Sequence, residues 1–176
     1  MTDIWLISDT HFFHENILKF TGDDGKLIRP GFDNVDQMNE CMVETWNARV
    51  KPQDKIWHLG DVAFGATKNH DALDRLLTRL HGQKRMTLGN HDDGRNPLLQ
   101  KHFEKIQLWN GFRRKDHTGF TATHIPLGIN QLRDGNYCVH GHIHQNLLAD
   151  ARYINVCVEQ TGYAPVHIDD LIARMK

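Results

Sequence analysis

Five stretches of this chain carry Asp, Asn or His where side chains can hold a divalent cation. They are Asp9-Thr10-His11, Gly60-Asp61, Gly89-Asn90-His91-Asp92, the single His124, and Gly141-His142-Ile143-His144. The donors are carboxylate or amide oxygen and imidazole nitrogen, with no thiolate among them. That set suits manganese, iron, zinc, cobalt or nickel and argues against soft ions. Two separated carboxylates with several imidazoles suffice for two ions if one carboxylate bridges them. Such a pair lowers the pKa of a shared water, making hydroxide available near neutral pH, and clamps the oxygens of a phosphoryl group during in-line displacement. No side-chain nucleophile is then required. Histidine is also the compositional outlier, with 13 in 176 residues.

Each stretch follows an apolar run that reads as a buried strand: Ile4–Ile7 and residues 56–59, 86–88, 120–123 and 137–139. Ligands at the carboxyl ends of successive strands are what an α/β active site looks like. Strand alternation alone puts Asp9 and His11 on one face, and His142 and His144 can converge likewise. A glycine ahead of the ligand in three motifs lets the backbone turn sharply. Between the strands, a short helix starts near residues 14–16 and a loop covers 22–31. Asn34 reads as an N-cap, followed by Val35, Met38, Met42, Val43 and Trp46 at helical spacing. Residues 51–54 turn into the next strand. A second amphipathic helix over 71–80 carries Leu73, Leu76, Leu77 and Leu80 and closes at Gly82. A short third helix covers Pro97–His102. After residue 103 the apolar runs 106–109, 111–114, 119–123, 137–140 and 153–158 predict a second, partly antiparallel sheet, and 168–175 a closing helix. No repeat, low-complexity tract or linker divides residues 1–176, which read as a single domain able to bury a core without disulfides.

Composition narrows the partners. The formal net charge is -1, and the one basic block, Arg113-Arg114-Lys115, is cut short by Asp116. A duplex nucleic-acid binder shows a wider basic surface, so duplex DNA is not an expected partner; single strands and nucleotides stay open. Cys41, Cys138 and Cys157 are an odd, sparse set that fits buried thiols in a reducing compartment. The chain runs into its first strand past acidic Asp3 without a signal-like region, and no apolar run approaches membrane-spanning length. The expectation is a cytoplasmic protein with no membrane partner.

The ordered set Asp-x-His, Gly-Asp, Gly-Asn-His-Asp, His, Gly-His-x-His resembles the calcineurin-like metallophosphoesterase superfamily. The match spans residues 9–144 with every motif position filled. The opening Ser8-Asp9-Thr10-His11-Phe12-Phe13-His14-Glu15-Asn16-Ile17 further resembles the small single-domain bacterial and phage members. The resemblance implies a two-sheet α/β sandwich flanked by helices, with the metals at strand carboxyl ends. It implies two divalent metal ions, manganese foremost, with Asp9, His11 and His144 on the first, Asn90, His124 and His142 on the second, and Asp61 bridging. His91 would contact the phosphate and protonate the leaving oxygen or stabilise its charge, and Asp92 would orient His91. The implied activity is phosphoester hydrolysis by a metal-bridging hydroxide. A phosphodiesterase acting on small, nucleotide-type diesters is preferred, and a phosphomonoesterase or phosphoprotein phosphatase is the alternative. A chain of this length without accessory domains predicts an open, shallow site. A non-catalytic scaffold of the same fold lacks the key histidine, which is present here. A repair nuclease of the superfamily needs capping segments and a basic track that this chain does not offer.

Other residues have competing readings. His14 lies three residues past His11, so helical geometry can bring it to the substrate phosphate; otherwise it is a surface helix histidine. Asn90 is counted with the substrate-binding residues as well as the ligands. Arg29, Arg113, Arg114 and Arg133 each offer a guanidinium fork to phosphate, or a solvated surface charge. Arg29 is carried forward as substrate-binding. His58 and His140 read as core or supporting histidines, and His70, His81, His102, His117 and His167 as solvent-facing. Trp5 and Trp57 belong to the core. Trp109 packs, or stacks on a base.

Overall fold

Strand β1 (Ile4–Ile7) buries side chains on both faces, with Leu6 entering one core and Ile7 another. Strand β2 (Lys55–His58) repeats the division with Trp57 and Ile56. Alternation along a strand sends neighbours to opposite faces. A run apolar at every position is therefore the mark of a sheet covered on both sides. The computed structural model describes residues 2–65, 68–113 and 119–175.

The first sheet has the order β4-β3-β2-β1-β9, with β3 at Gln83–Thr87, β4 at Lys105–Gln107 and β9 at Val166–His167. Its first four strands are parallel and β9 is antiparallel to β1. Its outer face is covered by helices α1 (Val35–Arg49), α2 (His70–Arg79) and α3 (Pro97–His102), whose Met38, Met42, Trp46, Leu73, Leu77 and Leu98 pack on Ile7, Ile56 and Met86. The second sheet runs β5-β6-β7-β8, with strands at Trp109–Arg113, Gly119–Thr123, Asn136–His140 and Tyr153–Asn155. Only its β5–β6 pair is antiparallel. Between the sheets lies the second core, where Leu6, Trp57 and Leu59 meet Phe120, Ala122, Val139, Ile154 and Val156. Helices α4 (Val158–Thr161) and α5 (Ile168–Ala173) complete the order. This is the two-sheet α/β sandwich flanked by helices.

Local chemistry sets the boundaries. Asn34 caps α1 by accepting the Gln37 amide at 2.9 Å, and Asn96 caps α3 by accepting the Leu98 amide at 2.9 Å. Several expectations are corrected. Helix α2 ends at Arg79, and Gly82, at φ 90°, shapes the turn into β3 rather than the helix end. Residues 106–109 split between two sheets: β4 continues the first and Trp109 opens the second. Residues 153–158 are not one strand, since β8 ends at Asn155 and Val158 begins α4, with Cys157 at the position before it. The closing helix stops at Ala173. Arg114 and His117 lie outside the described residues. Among the described residues, no helix is long and apolar enough to cross a membrane.

Candidate metal centre

In-register pairing brings the motifs to one edge. Ile7 pairs with His58 and His58 with Met86, so Ser8-Asp9, Gly60-Asp61 and Gly89-Asn90 leave the first sheet side by side. Thr123, His140 and Asn155 are likewise level in the second sheet. Backbone bonds join the two edges: Ser8 N donates to Val156 O at 3.0 Å, Asp9 N to Gly60 O at 3.0 Å, and Gly141 N to His124 O at 3.0 Å.

Beyond the strands the backbone turns left-handed at five of the seven expected ligands: Asp9 (φ 59°), His11 (46°), Asp61 (57°), His142 (71°) and His144 (50°). Strand alternation therefore does not bring Asp9 and His11 together, because β1 has already ended at Ile7. Left-handed turns do. Non-glycine residues hold such backbone only where their surroundings fix it. Two glycines do so by their bareness. A Cβ on Gly89 would lie 2.1 Å from Asp61 Oδ1, and one on Gly141 would lie 2.0 Å from Ser8 Oγ and 2.2 Å from Asp9 Oδ2.

The side chains converge. Asp61 Oδ2 lies 3.5 Å from His11 Nε2 and 3.4 Å from His124 Nε2, while Asp9 Oδ1 lies 3.7 Å from His11 Nε2 and 4.0 Å from His144 Nε2. Donor atoms of Asp9, His11 and His144 fall within 4.8 Å of one another, as do those of Asp9, Asp61 and His124. Asn90 Oδ1 is 2.9 Å from His124 Nε2, and the rings of His124 and His142 are 5.0 Å apart. Asp9, His11, Asp61 and His124 are buried, while Asn90 is exposed.

Three buried atoms in this cluster, Asp9 Oδ1 and both ring nitrogens of His11, have no hydrogen-bond partner. Buried polar atoms are expensive to leave unpaired. Burial pushes the Asp9 and Asp61 carboxyls up, yet their histidine neighbours outweigh it and hold both below the ordinary carboxylate range. Two ionised carboxylates in a water-poor pocket with orphaned imidazole nitrogens fit a divalent cation.

The ring orientations fit as well. His124 turns Nδ1 to Leu59 O at 2.9 Å, and His144 turns Nδ1 to Glu159 Oε1 at 2.9 Å, so each presents Nε2 to the cluster. Burial lowers the His144 pKa, but the bond to Glu159, the Glu159 charge and the Asp9 charge together outweigh it and the net shift is upward. Glu159 has a side chain 2 % exposed and also accepts from Arg29 Nε at 2.7 Å. Its signal in the sequence is an acid just past an apolar run, obscured by reading 153–158 as one strand. Cys157 Sγ donates to Asp9 Oδ2 at 3.1 Å, and Ser8 Oγ donates to the same oxygen.

Two expected roles are corrected. Arg29 does not face substrate: it is 1 % exposed and donates to Thr10 O, Asp9 O and Glu159, so its guanidinium braces the ligand loop. Asp92 accepts the amides of Asp61 (2.7 Å), Gly89 (2.9 Å) and Val62 (3.1 Å), which makes it a clasp between two ligand loops rather than the orienting partner of His91. His91 is exposed, its ring 5.5 Å from that of His11, and its amide donates to Asp61 Oδ1 at 2.9 Å. His14 lies 5.6 Å from His11 ring to ring, and its Nδ1 accepts the Ile17 amide, leaving the proton on Nε2. Burial pushes its pKa down to about 4.

His58 and His140, each 1 % exposed, bond to Thr10 Oγ1 and Gly141 O at 2.9 Å and support the loops as expected. His70 and His81 are exposed, whereas His102 pairs with Asp74 at 2.6 Å and His167 packs on Trp5. Trp57 is buried, and Trp5 packs partly buried against the first core. Trp109, Arg113 and Arg133 line a separate cleft of about 470 Å³ with Phe120 and Leu132.

Comparisons with known proteins give the chain's relatives and its family. The chain is 34% identical over 181 residues to an uncharacterized protein of Methanocaldococcus jannaschii, covering 98% of this chain and 90% of that one. It is 36% identical over 174 residues to the gene 66 protein of Mycobacterium phage D29, covering 84% of this chain and 81% of that one. A protein of unknown function from Aquifex aeolicus shares the fold, at a TM-score of 0.77 and 23% identity over 98% of this chain and 99% of that one. The model of calcineurin-like phosphoesterases matches residues 2–171, a span that takes in every ligand converging on the cluster, and the chain belongs to that family.

Proposed function

We propose that the chain is a two-metal phosphodiesterase that hydrolyses small, nucleotide-type phosphodiesters. The observation that carries this reading is the convergence of Asp9, His11, Asp61, His124 and His144 around three buried, unpartnered donor atoms. Asp9, His11 and His144 would hold the first cation, Asn90, His124 and His142 the second, and Asp61 would serve both. Such cations, manganese foremost, supply Lewis-acid chemistry, lowering the pKa of a water and neutralising phosphoryl oxygens. His91 is exposed beside His11, and its imidazole would donate a proton to the leaving oxygen. His14, with its proton on Nε2, donates to a phosphate oxygen, and Asn90 joins it through its amide. The near-neutral charge supports a small substrate over duplex DNA. Three free cysteines support work in the cytoplasm.

The test is hydrolysis of bis-p-nitrophenyl phosphate beside p-nitrophenyl phosphate, after chelation and with manganese restored. Diester turnover that requires the metal is expected. His91→Ala should keep its metal content and lose about 10²–10⁴-fold in turnover. A preference for the monoester would replace the reading with a phosphomonoesterase. Metal loss in the variant would make His91 a ligand rather than an acid.

A further inference from the structure

Two grooves flank the metal centre, and a row of rings forms the wall between them. The first, about 490 Å³, is bounded by His14, Asn16, Phe64, Lys68 and Asn69. The second, about 460 Å³, is bounded by Phe20, His142, His144, Gln145 and Asn146. His14 joins them: its ring lies face to face with Phe64 at 4.0 Å and meets Phe20 edge-on at 5.5 Å. The row touches the centre twice, His14 against His11 and Phe64 against His91, both at 5.6 Å between ring centroids.

Phe20 and Phe64 are 48 % and 41 % exposed, whereas His14 between them is buried. A lone exposed apolar side chain needs no explanation. Two phenyl rings held in a row by a buried imidazole, at the lip of a polar centre, are pre-ordered surface for a planar ligand. The polar linings define its chemistry. Asn16, Asn69, Gln145 and Asn146 offer amides that match the edges of bases. Neither groove is lined by an arginine among the described residues, and Glu15 and Asp36 share the first with its one lysine, Lys68, so neither is built for a second phosphate.

We infer that Phe20 and Phe64 form a stacking subsite for a phosphodiester that carries a nucleobase on each side of a single phosphate, as in a dinucleoside monophosphate. This rests on the phosphodiesterase reading above. With its phosphate at the metals, such a substrate sends one arm into each groove, whereas a monoester has one arm and fills one.

The test compares kcat/KM for adenylyl-(3′→5′)-adenosine with that for glycerophosphocholine, a diester without rings, in the manganese-loaded protein. The ratio of the two should fall about ten-fold in Phe20→Leu and in Phe64→Leu, and be retained in Phe20→Tyr and Phe64→Trp. An unchanged ratio in the leucine variants overturns the subsite, and so does an equal loss on both substrates, which marks a purely structural role. Wild-type protein that hydrolyses neither of these nor bis-p-nitrophenyl phosphate fails at the phosphodiesterase reading itself, a result distinct from either.

Discussion

Glu159 and Arg29 position the candidate ligands of the first motif and His144. Glu159 fixes the His144 ring through Nδ1, and Arg29 ties Glu159 to the carbonyls of Asp9 and Thr10. Glu159→Gln keeps an acceptor but removes the charge that makes the imidazole a better donor. Manganese affinity is expected to fall about ten-fold, measured by titration calorimetry, and wild-type affinity would refute the role. Arg29→Met leaves the Glu159 carboxylate buried without its cation, at a cost of about 3–5 kcal/mol in urea unfolding; a loss under 1 kcal/mol would contradict a tight pair. The candidate ligands that the fold brings together were legible in the sequence because Asp, Asn and His follow apolar runs. This ion pair was not, because 130 residues separate its partners and a long-range pair leaves no local pattern. Arg29 read as a phosphate binder for the same reason: in sequence it sits in a loop, and burial appears only when α1 and α4 close over it.

At the scale of elements, the strands deliver the ligands to an edge and left-handed turns aim them. The strand runs and the capped helices α1 and α3 were readable from periodicity and from Asn34 and Pro97. The turns were read as alternation, which fails because nothing in Asp9-Thr10-His11 announces positive φ. The glycines carried the signal, through close approach as much as through φ. Gly141→Ala puts a methyl against Ser8 Oγ and Asp9 Oδ2. It should lower stability by about 1–3 kcal/mol and weaken manganese binding. Gly128→Ala, in open space at φ -59°, is the control and should change neither. A Gly141→Ala protein with the melting temperature and manganese titration of wild type would show that the loop has slack.

For the whole molecule, the sandwich buries His58 beside the candidate ligand loops, and stability should follow its protonation. Burial pushes the His58 pKa from 6.5 down to about 3, with Asp9 and Asp61 opposing. Between those values the unfolded chain binds the proton and the folded protein does not, so stability is full above pH 6.5 and falls as pH drops toward 3. In urea unfolding of the metal-free protein, the advantage of wild type over His58→Gln should shrink by about 2 kcal/mol between pH 6.5 and 5. A pH-independent difference would mean that His58 accepts a proton without cost. The two-sheet architecture was implied by motif order, and doubly buried strands such as β1 and β2 agree with it; the splitting of residues 106–109 between sheets was hidden because both halves are equally strand-like. Asp61 lies between His11, which follows the first sheet's β1, and His124, which follows the second sheet's β6. The decisive measurement is therefore manganese stoichiometry, by calorimetry and elemental analysis, in wild type and Asp61→Asn. Two ions per chain in wild type and fewer than one in the variant are predicted; one ion in wild type, or two retained at unchanged affinity in the variant, would contradict a shared two-metal centre.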